Sequence, residues 1–427
     1  MSFKLSVVFG FTLLLTVVLI GSSVAQAPKP AMYKVTDLGT LGGAYSYTYT
    51  INEAGIVGGG AATPSQVDGL SQTAFFWQRG QMIELGTLDG AACPDCSSAS
   101  AGVSGSGIAP MISETAMFDF NGEDFCAFGT HRQCLAAVWK DGKIAALPAL
   151  QGGNNSQAYW TNKGGEIAGF SETAVFDNTC AVPYQKLRFE GVRWAADGAP
   201  NRLRPLPNDT VSFAFGINDR GQSVGVSGLC SNTTIPPGIP GGPHAVLWES
   251  DGTPVLVDSL PGAIGNNVGG SINNRRDVVG TQEIADGTVH TFLWNKDSSI
   301  QDVMMPGAFV TIAPCCHTVN DRREITGFAI GENGPQAFVW KDGLFTDLNA
   351  ALPVGSPWFV FITASINNAG QIAASGVNLE TGEVHGLLLT PIAPTGAPIA
   401  RGATEAPPLP KQVTKMLNQQ IRLHRNR

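Results

Sequence analysis

Eight cysteines, six histidines and a recurring set of carboxylates have the most chemistry to offer in this 427-residue chain. The cysteines are Cys93, Cys96, Cys126, Cys134, Cys180, Cys230, Cys315 and Cys316. An even number behind an export leader points to disulfides, although eight cysteines admit about a hundred pairings. Cys93-Pro-Asp-Cys96 has the spacing of a redox or zinc pair. It lacks a βαβ context and a second suitably spaced pair, so structural bridging is expected. Cys126 and Cys134 fall in the same stretch, while Cys180 and Cys230 are placed to staple two neighbouring loops. Adjacent Cys315 and Cys316 must form a strained vicinal bridge or pair elsewhere.

His244, His290 and His385 occupy one slot of a repeat. If their strand lay innermost in a ring, three imidazoles would face a central channel and offer a metal site. A histidine at a fixed repeat position more simply satisfies a local polar group in each copy, so no metal and no cofactor are expected. The carboxylates Asp37, Glu84, Asp258, Asp302 and Asp347 share another slot. Glycosidases need a pair of carboxylates at one bond, whereas these stand in separate copies. The chain has no G-x-S-x-G, H-E-x-x-H, P-loop or dinucleotide fingerprint. No catalytic residue is assigned.

The elements that must position these residues come from a repeat. INEAGIVGG at 51, TNKGGEIAG at 161, INDRGQSVG at 217, INNRRDVVG at 272, VNDRREITG at 319 and INNAGQIAA at 366 are copies of one pattern. VSGSGIAPM at 103 is a degenerate copy. Each is followed by a strand ending in Trp77, Trp139, Trp194, Trp248, Trp294 or Trp340, with Leu389 in that place in the last. A tight turn such as KDG comes next, then a strand such as VTDLGTL at 35. Each copy thus carries strand signals a (DLGTL), b (ending at Ile-Asn), c (IVGG-like) and d (AFxW). Asn starts the b–c turn through its side chain, and Gly takes the left-handed conformation that closes it. Arg276 and Arg323 replace that Gly and should carry modest strain. Seven copies of roughly fifty residues with four strands each predict an all-β fold, a seven-bladed β-propeller. The long, variable c–d connection is read as the blade boundary, so the C-terminal strand would complete the N-terminal blade and close the ring.

The pattern also resembles the extracellular HAF-repeat family, named for its His-Ala-Phe motif, over residues 33–391. TDLGTLGG at 36–43, HAVLW at 244–248 and AFVWKDG at 337–343 carry the likeness best. The resemblance implies a secreted, β-propeller-like protein and no known reaction. Copies two and three depart from the pattern.

Gly and Pro together fill 79 positions, and only 14% of residues are charged. That composition opposes a helical bundle and wholesale disorder. A net charge of −8 argues against nucleic-acid binding. Residues 1–27 read as a secretory signal, with Lys4, an apolar run from Leu5 to Ile20 and small residues at the cleavage point. The propeller is expected over 28–391. Residues 392–427 form a Pro/Ala-rich then basic tail, in which six Lys/Arg oppose Glu405. The mature chain is expected to be secreted or periplasmic, with no transmembrane span. Insertions near 112–135, 171–190 and 227–243 lie in consecutive copies and on one face. Long loops on a rigid scaffold usually carry binding, so the expected role is a non-enzymatic binding or scaffolding module for a polysaccharide, peptide or envelope protein. The alternative is a glycosidase or lyase at the channel mouth.

Overall fold

The computed structural model describes residues 32–392 apart from 67–70, 106, 181–184, 234–240, 315 and 333. The leader, the tail after Ile392 and Cys315 therefore lie outside the described residues. No α-helix occurs among the described residues, and no helix there is long and apolar enough to cross a membrane.

Strands b, c, d and a pair in that order in every sheet. Blade one is Ser46–Ile51, Val57–Ala61, Thr73–Gln78 and Gln81–Gly86. Blades two to six repeat the same meander, and a single parallel pairing of Val289 with Val310 joins the sheets of blades five and six. Blade seven is Trp358–Ile366, Ile372–Asn378 and Val384–Ile392, completed by the N-terminal strand Met32–Asp37. The protein is a seven-bladed β-propeller.

Two expectations about the blades need correction. The boundary falls between strands a and b, not between c and d, and strand b rather than d is innermost. The inner b–c turns of successive blades bond to one another, which places that edge at the axis. The closing partners are the expected ones, but Met32–Asp37 completes the last blade instead of Val384–Ile392 completing the first. The error came from loop length. A crossover must bridge three strand spacings, about 14 Å. Even a short a–b segment reaches that at about 3.3 Å per residue. The variable c–d lengths are hairpins growing outward from one face.

Aromatic anchors fill the layers between blades. Trp194 and Trp248 are fully buried and donate their indole N–H to Pro148 O (2.8 Å) and Arg204 O (2.7 Å). Truncating such a Trp costs about 3–5 kcal/mol. Strand c packs so close to strand b that a Cβ on Gly225 would lie 1.9 Å from Phe213 O, which explains the IVGG-like glycines.

Candidate functional site

The turn face is built from one residue type. In Asn320, Oδ1 accepts the Arg322 and Glu324 N–H groups, both at 3.0 Å. Its Nδ2 donates to Glu324 (2.7 Å) and to the Asn367 carbonyl of the next blade (3.0 Å). All the hydrogen-bonding capacity of a buried amide is used. Asn162, Asn218, Asn273 and Asn367 repeat the inter-blade bond, and Asn367 reaches Asn52, which in turn reaches Ser104. The residue after each Asn extends this circuit. Asp219, Asn274, Asp321, Asn368 and Glu53 each accept the N–H of the preceding blade's equivalent residue. Below it, Trp160 of blade three stacks on His317 of blade six at 4.7 Å, an arrangement that places both rings at the axis. Burial pushes the His317 imidazole down to about 4 against the opposing pull of Asp321 and Asp219.

The histidine and carboxylate slots are structural pairs. His290 Nδ1 lies 2.9 Å from Asp302, and His385 Nδ1 lies 2.8 Å from Asp37 across the closing seam. His244 Nδ1 lies 2.9 Å from Asp209. Because strand d is third from the axis, the three imidazoles are not gathered at a channel. Asp258 accepts the Trp294 indole N–H (2.8 Å), Asp347 accepts the Asn349 N–H (2.8 Å), and Glu84 is exposed. Arg276 and Arg323 do take left-handed backbone, at φ 67° and 59°. Arg323 also grips fully buried Asp277 through two bonds, at 2.9 and 2.7 Å.

The opposite face changes character in blades two to four. Here the c strands Ala109–Phe118 and Ile167–Phe176 run ten residues and project hairpins. Disulfides join Cys93 to Cys96, Cys126 to Cys134 and Cys180 to Cys230. The CPDC thiols are thus unavailable to zinc. Asp177 lies beside the Cys180 and Cys230 sulfurs, but those are bonded to each other and ligate nothing. Cys316 is also disulfide-bonded.

Sequence reading missed what sits under these hairpins. Ser113-Glu-Thr-Ala-Met-Phe-Asp119 and Ser171-Glu-Thr-Ala-Val-Phe-Asp177 are a second, smaller repeat, and each places a fully buried glutamate in the middle of its ten-residue strand. Glu114 accepts the Ser97 N–H (2.8 Å), and Glu172 accepts the Asn155 N–H (2.8 Å). Glu123, also fully buried, accepts the Lys186 and Leu187 N–H groups and meets the Glu172 carboxyl. Asp119 accepts the side-chain N–H of Asn154 (2.5 Å) and Asn155 (2.7 Å). Burial, then the charge of Glu123, raises the Glu172 carboxyl well above the carboxylate range; burial and Asp119 raise Glu123. Above this polar joint the hairpins expose Met117 (65%), Phe118 (69%), Phe120 (92%) and Phe176 (64%) to solvent.

No protein-family model and no curated protein matches the chain. Among solved structures it is similar to a puromycin hydrolase at 11% identity and a TM-score of 0.49, covering 80% of this chain and 53% of that one. A prolyl endopeptidase matches at 10% identity and 0.48 over 86% of this chain and 51% of its own. The chain therefore spans about half the length of these two enzymes. An oligogalacturonate lyase in complex with manganese matches at 11% identity and 0.48, over 85% of this chain and 97% of its own.

Proposed function

We propose that this is an exported, non-enzymatic binding module that engages an apolar surface of an envelope protein or peptide through the hairpin face of blades two to four. One observation carries the reading: Met117, Phe118, Phe120, Val175 and Phe176 are exposed together on the hairpins of adjacent blades, where three disulfides hold the loops in place. Scattered apolar residues need no explanation, but a cluster of large ones on a rigid projection is what an interface requires. Aliphatic and phenyl groups favour a protein partner over a sugar, whose ring stacks best on Trp or Tyr with polar groups at its rim. The facing Glu123 and Glu172 carboxyls are the nearest thing to a glycosidase pair, but both are sealed from solvent and present nothing to a substrate. The resemblance to extracellular HAF-repeat proteins and the disulfides support export. The test is capture of envelope proteins and of a glycan panel by the mature chain and by a Phe118→Asp/Phe120→Asp/Phe176→Asp variant. Loss of protein capture in the variant supports the reading; loss of glycan capture alone, or equal protein capture, overturns it.

A further inference from the structure

The donors that reach each buried carboxylate under the hairpins separate one from the rest. Asp119 Oδ1 accepts the Asn121 and Glu123 N–H groups, both at 2.8 Å, and its Oδ2 accepts the side-chain N–H of Asn154 (2.5 Å) and Asn155 (2.7 Å). Glu123 Oε1 accepts the Lys186 and Leu187 N–H groups, and its Oε2 accepts the Asn121 side-chain N–H at 3.2 Å. Glu114, the counterpart of Glu172 in the smaller repeat, accepts the Ser97 N–H on Oε2 (2.8 Å) and the Thr130 hydroxyl on Oε1. Each of these three has a donor on both oxygens, which suits an ionised carboxylate.

Glu172 differs. Its Oε2 accepts the Asn154 N–H (3.2 Å), the Asn155 N–H (2.8 Å) and the Asn155 side-chain N–H (3.1 Å). Its Oε1 is buried and has no N–H or O–H donor among the described residues. The Glu172 carboxyl meets that of Glu123 across the seam between blades two and three, and both residues are fully buried. Two anions in that contact would repel with no water to screen them. One proton removes the conflict, and Glu172 Oε1 is the oxygen of the pair with room to carry it. The other charged groups at the joint do not neutralise the pair. Lys186 Nζ donates to the Asn121 carbonyl, Arg188 pairs with Asp177 at 2.8 Å, and Asp119 adds a further negative charge.

We propose that Glu172 is held as the neutral acid, donating its proton to the Glu123 carboxylate, and that this bond is an alkali-sensitive latch fastening loop 119–125 of blade two to blade three. Loss of the proton to hydroxide leaves two buried anions face to face and releases the loop that carries Phe120. The latch does not depend on which partner the hairpins engage. Burial, then the charge of Glu123, pushes the Glu172 carboxyl up to about 9, whereas the unfolded chain gives up that proton at about 4.3. The folded state binds the extra proton between those values. The latch's contribution to stability is therefore complete below about pH 4.3 and declines until about pH 9.

The test compares the full chain with Glu172→Gln, whose side-chain N–H donates to Glu123 at every pH while its carbonyl keeps the Asn154 and Asn155 contacts. Infrared spectra at pH 7 should show a protonated-carboxyl stretch in the parent that the variant lacks and that fades from the parent by pH 10. The parent's denaturation midpoint should fall relative to the variant's between pH 5 and pH 9. Hydrogen exchange at 119–125 and 185–189, corrected for the intrinsic rate, should quicken about tenfold in the parent from pH 7 to pH 10 and stay level in the variant. The Asn turns should respond alike in both. If the variant does not fold, the parent's infrared band and its local exchange still decide. A parent without that band at pH 7, or a local pH dependence that folded Glu172→Gln shares, overturns the proposal.

Discussion

The two faces of this propeller solve the same problem with different materials. On the turn face, blade meets blade through repeated Asn side chains bonded to main-chain carbonyls, and the arrangement hardly varies from blade three to blade seven. On the hairpin face of blades two to four, the joints are disulfides, buried glutamates and one lysine. A repeated polar circuit suffices where each blade needs only its neighbour. Loops that project beyond the blades rest on an aromatic cluster that includes Phe125, Phe170, Phe189 and Phe213, and the Cys126–Cys134 and Cys180–Cys230 disulfides are built into it. The difference teaches that the turn face closes the ring, and the hairpin face has been freed for something else.

The covalent tie gives the largest expected effect. Replacing Cys180 and Cys230 with Ser opens a loop of 50 residues and should cost about 4 kcal/mol in chain-entropy terms. Chemical denaturation should show that loss, with hydrogen exchange rising at 171–190 and 227–233 but not at the Asn turns. A uniform rise over both faces would break the comparison.

The turn face should break through its amides. Asn320→Ala removes four hydrogen bonds at a buried junction, and at about 1 kcal/mol each, partly recovered by relaxation, should cost about 3 kcal/mol. Asn320→Asp should not restore the parent's stability, because a carboxylate cannot donate to Glu324 and Asn367. Stability within 1 kcal/mol of the parent in Asn320→Ala would show that blade packing alone holds the ring.

The axis adds a pH test. His317 stays neutral in the folded protein down to about pH 4, whereas the unfolded chain takes up that proton at about 6.5. The unfolded state then binds more protons between those values, so stability is complete above about pH 6.5 and falls until about pH 4. The contribution is on the order of 3 kcal/mol. Carboxylates also titrate in acid, but they are common to His317→Phe, which keeps a ring against Trp160. The difference between the two proteins' unfolding free energies should therefore fall from pH 6.5 to 4 and stay level outside that range. A flat difference would remove His317 from the account of acid stability.

The smallest effects concern the two strained turns. Arg276→Gly relieves left-handed backbone and loses a partly buried pair with Glu249, and the two should cancel to within about 0.5 kcal/mol. Arg323→Gly relieves the same strain but leaves Asp277, fully buried, without its bidentate partner, so it should destabilise by about 1–2 kcal/mol. Thermal unfolding of the two variants side by side checks the contrast.

The repeat was legible because its turns are local chemistry. Asn followed three residues later by Gly needs no tertiary context, and even the strain at Arg276 and Arg323 could be read from the missing glycine. The disulfide between Cys180 and Cys230 was legible because equivalent strands precede both residues. Blade order was not, because hairpin growth and crossover length look alike along the chain. The buried Glu172 and Glu123 were also missed. Along the chain a lone glutamate in a polar insertion reads as solvated, and only burial between neighbouring blades reveals it. The twice-occurring Ser-Glu-Thr-Ala-x-Phe-Asp string was the available signal, lost because it lies in the two copies that depart from the main pattern.

One measurement bears most directly on the division between the faces. Envelope-protein capture should be compared among the mature parent chain, the Phe118→Asp/Phe120→Asp/Phe176→Asp variant and Val354→Asp, which alters an equally exposed apolar residue between blades six and seven. The parent and Val354→Asp should retain the same proteins and the triple variant should retain none. Retention of those proteins by the triple variant at the parent's level would contradict a binding role for the hairpin face.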